Sequence, residues 1–183
     1  MDISLFNFFY SFANRSPLFD GLIVFFASYL PYLLIFAFCV LPYTLFSGWK
    51  KRLFLFLGLA LSGILSRGII VPSIRFLYHR ARPFEIFGFE PLITPSGFSF
   101  PSGHAALFFA LSFFLFFFAK KAGIYALLLS LTIGVFRVVS GAHFPGDIVG
   151  GMILGFGSAL LVFYLLPSKA VCASKEISEN HAS

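Results

Sequence analysis

The sequence predicts an all-α polytopic membrane bundle of about five transmembrane helices, preceded by an N-terminal interfacial helix. Three observations lead there. Of the 183 residues, 59% are hydrophobic, 29 are Phe and only 11% are charged. A soluble domain of this size shows too much surface to water to hide that much apolar area. The apolar residues gather into five runs, each approaching the roughly 20 residues that cross a bilayer core. Finally, Lys50, Lys51, Lys120, Lys121, Lys169 and Lys175 all fall on one side of the topology that five alternating spans produce. The net charge of +6 does not point to nucleic acid, because the cations flank apolar runs and form no basic face.

Met1–Pro17 comes first. It holds one acid, Asp2, and one base, Arg15, with no basic stretch ahead of an apolar core, so it does not read as a secretory signal. Phe6, Phe9, Tyr10 and Ala13 follow helical spacing, which predicts a short amphipathic helix at the membrane interface. The runs are Leu18–Leu41, Leu53–Ile74, Ala105–Ala119, Ala122–Val139 and Ile148–Leu166. Pro31, Gly58, Gly63 and Gly68 are tolerable inside them, since lipid enforces the helix. The third run is short, and its helix is expected to begin near Ser102. Only Lys120–Lys121 separates it from the fourth, which predicts a tight antiparallel hairpin. Gly150, Gly151, Gly155, Gly157 and Ala159 in the fifth suit close helix packing. Residues 168–183 are polar and expected to fray. The chain reads as one domain, 1–183. Cys39 lies inside an apolar run and Cys172 in the polar tail, and no disulfide is expected.

The positive-inside rule makes the lysine side, with Arg52, cytoplasmic. The N-terminus is then outside and the C-terminus inside. Three polar clusters fall at the outer ends of spans: RFLYHRARP (Arg75–Pro83), PSGH (Pro101–His104) and RVVSGAHFPGD (Arg137–Asp147). Alternating topology brings all three to one face. So many ionisable groups in a small volume are costly in a membrane unless they bind something. Arginine forks suit phosphate oxygens. Ser102 and the Gly103 N–H stand at a helix start that favours an anion. His143 and Asp147 are four apart, so the carboxylate can orient the imidazole, which can then act as a nucleophile. His104 can protonate a leaving oxygen.

The pattern R-x6-RP, PSGH and R-x5-H-x3-D resembles the type 2 phosphatidic acid phosphatase superfamily across most of the second half of the chain. The resemblance implies a metal-independent lipid phosphatase working through a phosphohistidine. It implies His143 as nucleophile, Asp147 as its partner and His104 as acid, with Arg75, Arg82, Ser102, Gly103 and Arg137 binding phosphate. Two positions depart from the pattern: Arg75 stands where the family usually has Lys, and Phe136 where it usually has Ser. Many relatives have six spans; the five-span plan resembles the small bacterial members similar to undecaprenyl pyrophosphate phosphatases.

His79 and Arg80 read as interfacial or headgroup contacts, and Arg67, inside the second run, as a hydrogen-bonded bundle arginine. The Phe108–Phe118 aromatics read as lipid-facing or core, and Asp20 and Glu85 as solvated loop charges. His79, His104, His143 and Asp147 are residue types that suit a metal, but the arginines around them repel a cation; no metal and no cofactor is expected. The expected partners are the bilayer and a membrane lipid substrate, with the oligomeric state left open. The expected site is on the extracytoplasmic face of a bacterial cytoplasmic membrane. Undecaprenyl pyrophosphate leads as substrate, ahead of phosphatidylglycerol phosphate, phosphatidic acid and lipid A 1-phosphate. A non-catalytic phospholipid-binding or transport protein is the rival of another class.

Overall fold

The computed structural model describes residues 2–166, and every regular element among them is helical. The expectations for Lys169, Lys175, Cys172 and the tail at 168–183 lie outside the described residues. The helices are α1 (Asp2–Tyr10), α2 (Pro17–Leu45), α3 (Trp49–Leu77), α4 (Pro83–Phe87), α5 (Gly103–Phe118), α6 (Lys120–Val139) and α7 (Pro145–Leu165). By length and apolarity α2, α3, α6 and α7 can each cross a membrane, and α5 is a shorter apolar helix. These five match the five apolar runs. The ends of α2 and α3 reach past the runs, because Pro17 suits a first helical turn and Lys50, Lys51, Arg52 and Arg75 tolerate a helix end.

The prolines leave a physical trace. A helical proline has no N–H for the carbonyl four residues back, and its ring crowds that carbonyl. Both α2 and α3 widen into a π-helical stretch just before one: Phe25–Tyr29 precedes Pro31, and Ile64–Ile70 precedes Pro72. The carbonyl that Pro31 cannot serve is that of Ala27, and it accepts from Arg137 Nη1 at 3.3 Å. A proline in the first span thus helps seat an arginine of the third cluster. Arg67 lies in the other π stretch, and such bulges recur at functional sites.

Helix α5 is the centre of the bundle, packed on α7, α6 and α3. Phe108, Phe109, Phe114 and Phe118 are buried there, so these rings are core rather than lipid-facing. The α5–α7 contact is close because α7 lacks side chains along it. A Cβ on Gly151 would come within 2.7 Å of the Ser102 carbonyl, and one on Gly155 within 2.7 Å of the Ala106 carbonyl. Ala159 is buried on the same helix, whereas Gly157 has open space around it and plays no part in packing. Ala119 alone joins α5 to α6, giving the predicted hairpin.

Helix α1 forms where the spacing predicts a short helix, with Phe6 at 1% exposure turned inward and Ile3, Leu5 and Phe8 exposed. The Phe6 ring packs on Phe87, Phe89 and Phe144. The helix therefore lies over the loops at the site end of the bundle and is fastened to them.

Candidate active site

The third cluster begins where α6 ends. Ser140 Oγ donates to the Arg137 carbonyl, and Gly141 turns the chain at φ +81°, a conformation that favours glycine. Pro145 opens α7, and Asp147, in its first turn, accepts from the Phe144 N–H at 2.9 Å. The same carboxylate is fully buried and takes three further donors. Ser99 Oγ donates to Oδ2, Arg80 Nη1 to Oδ1 at 2.7 Å, and His143 Nδ1 stands 3.4 Å from Oδ2. With Asp147 facing Nδ1, that nitrogen carries the imidazole proton and Nε2 keeps its lone pair. Arg82 Nη1 lies 3.3 Å from Nε2. His143 is 1% exposed. Burial pushes its pKa down to about 4 against the pull of Asp147, so the ring is neutral at ordinary pH.

Arg80 carries more than interfacial contact. Its second branch donates to Asp2 Oδ2 at 2.6 Å, and Asp2 Oδ1 accepts from the Gly146 N–H at 2.8 Å. The first helix, the first cluster and the third are thereby linked through two carboxylates. Sequence reasoning missed Asp2, Arg80 and Ser99. The only signal for Arg80 and Ser99 was position, each two residues from a motif residue, and Asp2, at the other end of the chain, gave none. Glu85 and Asp20 are likewise not merely solvated. Glu85 accepts from the Arg82 N–H at 2.7 Å to cap α4, and Asp20 accepts from the Asn14 N–H at 2.9 Å.

The predicted phosphate-binding residues divide by how free they are. Arg82 is 2% exposed, and its fork is occupied by the carbonyls of Gly97, Ser96, Phe98 and Ala142. Burial, and then the charge of Arg75, hold its pKa down at about 10, still far above physiological pH. It organises the 96–98 loop and offers Nη1 alone to the His143 side. Arg75 donates from Nη2 to the Pro101 carbonyl at 2.9 Å and is only partly buried. Arg137 is 4% exposed, and its Nε is buried with no partner among the described residues. Ser102 caps α5, and its N–H donates to the Asp147 carbonyl at 3.0 Å, joining the second cluster to the third. The helix thus begins near Ser102, as the sequence predicts, and Pro101 stands one residue before the cap. His104, partly buried above Phe108, stands among the charges of Arg137, Arg67 and Arg75. His79 packs against Phe98 with ring centroids 4.4 Å apart and the rings tilted by 55°.

Arg67 departs from its predicted bundle role. It is exposed, and no group among the described residues accepts a hydrogen bond from it. Phe136 stacks on Phe26 at 4.7 Å, holding α6 to α2. Among the described residues no three His, Cys, Asp or Glu side chains form a metal-ligand cluster. The arrangement offers a neutral, oriented imidazole beside arginine donors and a helix start, which is what nucleophilic attack on an anionic phosphorus requires.

Known proteins carry the same architecture. Among solved structures, LpxE of Aquifex aeolicus matches with a TM-score of 0.69 and 26% identity, covering 89% of this chain and 94% of that one. The bacitracin transport permease protein BcrC of Bacillus licheniformis is 46% identical over 69 residues, 38% of this chain and 34% of that protein. Phosphatidylglycerophosphatase B of Bacillus subtilis strain 168 is 36% identical over 98 residues, 48% of this chain and 44% of that protein. The matches thus span a third to under a half of these two curated relatives. The model of the PAP2 superfamily matches residues 51–170, which hold all three clusters, and the chain is an integral membrane protein belonging to that superfamily.

Proposed function

We propose that this chain, as one membrane-embedded domain, is a metal-independent lipid phosphatase of the extracytoplasmic face of a bacterial cytoplasmic membrane. It hydrolyses undecaprenyl pyrophosphate to undecaprenyl phosphate through a phosphohistidine. The observation that carries the reading is buried His143, neutral, with Nδ1 toward Asp147 and its Nε2 lone pair toward Arg82. His143 Nε2 attacks the terminal phosphorus as the bond to the bridging oxygen breaks, and His104 gives that oxygen a proton. Arg75, Arg137 Nε, Arg82 Nη1 and the Ser102–Gly103 helix start stabilise the phosphoryl oxygens. Asp147 stabilises the charge that the ring gains on phosphorylation. Water then attacks the phosphohistidine, gives its proton back to His104 and releases inorganic phosphate.

Phosphate release by the purified protein from a panel of prenyl diphosphate, phosphatidylglycerol phosphate, phosphatidic acid and lipid A 1-phosphate tests this reading. Fastest release from the prenyl diphosphate is expected. Release from none of them favours a binding or transport protein instead. Excess chelator is expected to leave the rate within about twofold, because arginines supply the charge that a metal supplies elsewhere; loss on chelation with rescue by one divalent ion overturns the metal-independent mechanism.

The face is tested in whole cells. After Cys39 and Cys172 are replaced, a single cysteine at Glu90 is expected to react with an impermeant maleimide, and one at Lys120 to be protected. The reverse pattern inverts the topology.

A further inference from the structure

Arg67 stands within a membrane-spanning helix, exposed and without a protein acceptor among the described residues. The stretch from Arg67 to Leu77 is about 15 Å of helix at 1.5 Å per residue, so the residue lies well below the outer end of α3. An arginine at such depth is costly unless an anion meets it. Its guanidinium is placed by another residue: a Cβ built on Gly103 would come within 2.5 Å of Arg67 Nη1. The glycine of the PSGH cluster therefore leaves the room into which Arg67 reaches. Arg67 also lines an open cleft of about 440 Å³, which it shares with Arg75, His79, Val71, Phe76 and Phe98. Its lining combines two arginines with apolar Val71, Pro72, Phe76 and Phe98, as an anionic group with a hydrocarbon chain requires. Neither His143 nor Asp147 lines it.

We propose that this cleft is a subsite for the second phosphate of a diphosphate lipid, with Arg67 as the residue that selects diphosphate over monophosphate substrates. The inference rests on the proposed roles of His143 and His104. In-line attack puts the leaving oxygen opposite His143 Nε2, on the side of His104. Gly103 is next to His104 in the chain, so Arg67 stands beside the leaving group. When the P–O bond to the bridging oxygen breaks, its electron pair stays on that oxygen. A monophosphate lipid leaves as a neutral alcohol once protonated and has no use for another cation. A diphosphate lipid leaves as a lipid monophosphate, and the added charge on its oxygens falls to Arg67. The interaction strengthens as the bond breaks, so it acts on rate as well as on binding.

The test compares wild type with Arg67→Gln and Arg67→Lys in detergent micelles, using farnesyl diphosphate and a short-chain phosphatidic acid. Arg67→Gln is expected to lower kcat/KM for the diphosphate by about 100-fold and for phosphatidic acid by less than about threefold, with Arg67→Lys recovering part of the loss. A second readout does not need turnover of both lipids. Inorganic pyrophosphate is expected to inhibit wild type about tenfold more tightly than inorganic phosphate, and Arg67→Gln to erase the difference. Equal losses on both lipids, no loss on either, or equal inhibition of wild type by the two anions overturns the subsite while leaving the phosphatase reading intact. No phosphate release by wild type from any lipid overturns that underlying reading.

Discussion

His143→Ala is expected to lower phosphate release by about 10⁴-fold or more, as removal of a nucleophile does in enzymes that work through a covalent intermediate. The fold should survive. Without the imidazole, Arg82 Nη1 still donates to the Ala142 carbonyl, and Asp147 still accepts from Phe144 N–H, Ser99 and Arg80. The stability cost is then that of a small cavity and one weak contact, about 1–3 kcal/mol. Brief incubation of wild type with labelled lipid, followed by denaturation, should trap acid-labile phosphate on the protein, and His143→Ala should trap none. Retention of substantial turnover by the variant sinks the nucleophile assignment.

The buried ring also sets a pH dependence. Its pKa falls from 6.5 in the unfolded chain to about 4 in the folded one. Between those values the unfolded chain binds the extra proton, so stability falls as pH drops from about 6.5 to about 4. Wild type should lose Tm across that window more steeply than His143→Ala, and the nucleophile should remain neutral down to about pH 4.

The span count and the clustering of motifs at one end were legible because both are local. An apolar run, a lysine pair and a PSGH turn each fit within a few residues. The spacing gave the His143–Asp147 pair, but not the Arg80 and Ser99 donors on the same carboxylate: these come from the irregular segments on either side of α4, and Asp2 reaches Gly146 from the other end of the chain. Arg82 shows the limit of reasoning from residue type. A guanidinium fits phosphate and stacked carbonyls equally well, and here loop 96–98 takes most of its donors. The burial of Phe108 and Phe114 was equally hidden, because in lipid an outward Phe and a core Phe satisfy the same composition. Arg67 was visible as an anomaly, but its meaning required knowing that Gly103 faces it.

His104→Ala is expected to lower kcat by about 10³-fold on a lipid with an alkoxide leaving group while changing KM by less than about threefold. The reason lies in where the ring is held. Ser102 caps α5, so His104 falls in its first turn, above Phe108 and among the charges of Arg137, Arg67 and Arg75. A headgroup stays at that level while its chain remains in lipid. The bridging oxygen joins the two, and a ring fixed at the helix start can meet it. The defect should therefore depend on the leaving group. An alkoxide needs the proton, so its departure should suffer the full loss. An aryl oxide departs without one, so its release in the first turnover should slow about tenfold or less. Water attack on the phosphohistidine also calls on His104 as base, so a burst of released aryl alcohol followed by slow turnover is expected from the variant. Equal losses of first-turnover release for good and poor leaving groups, with no burst, would mean that His104 holds the phosphate in place and that another group supplies the proton.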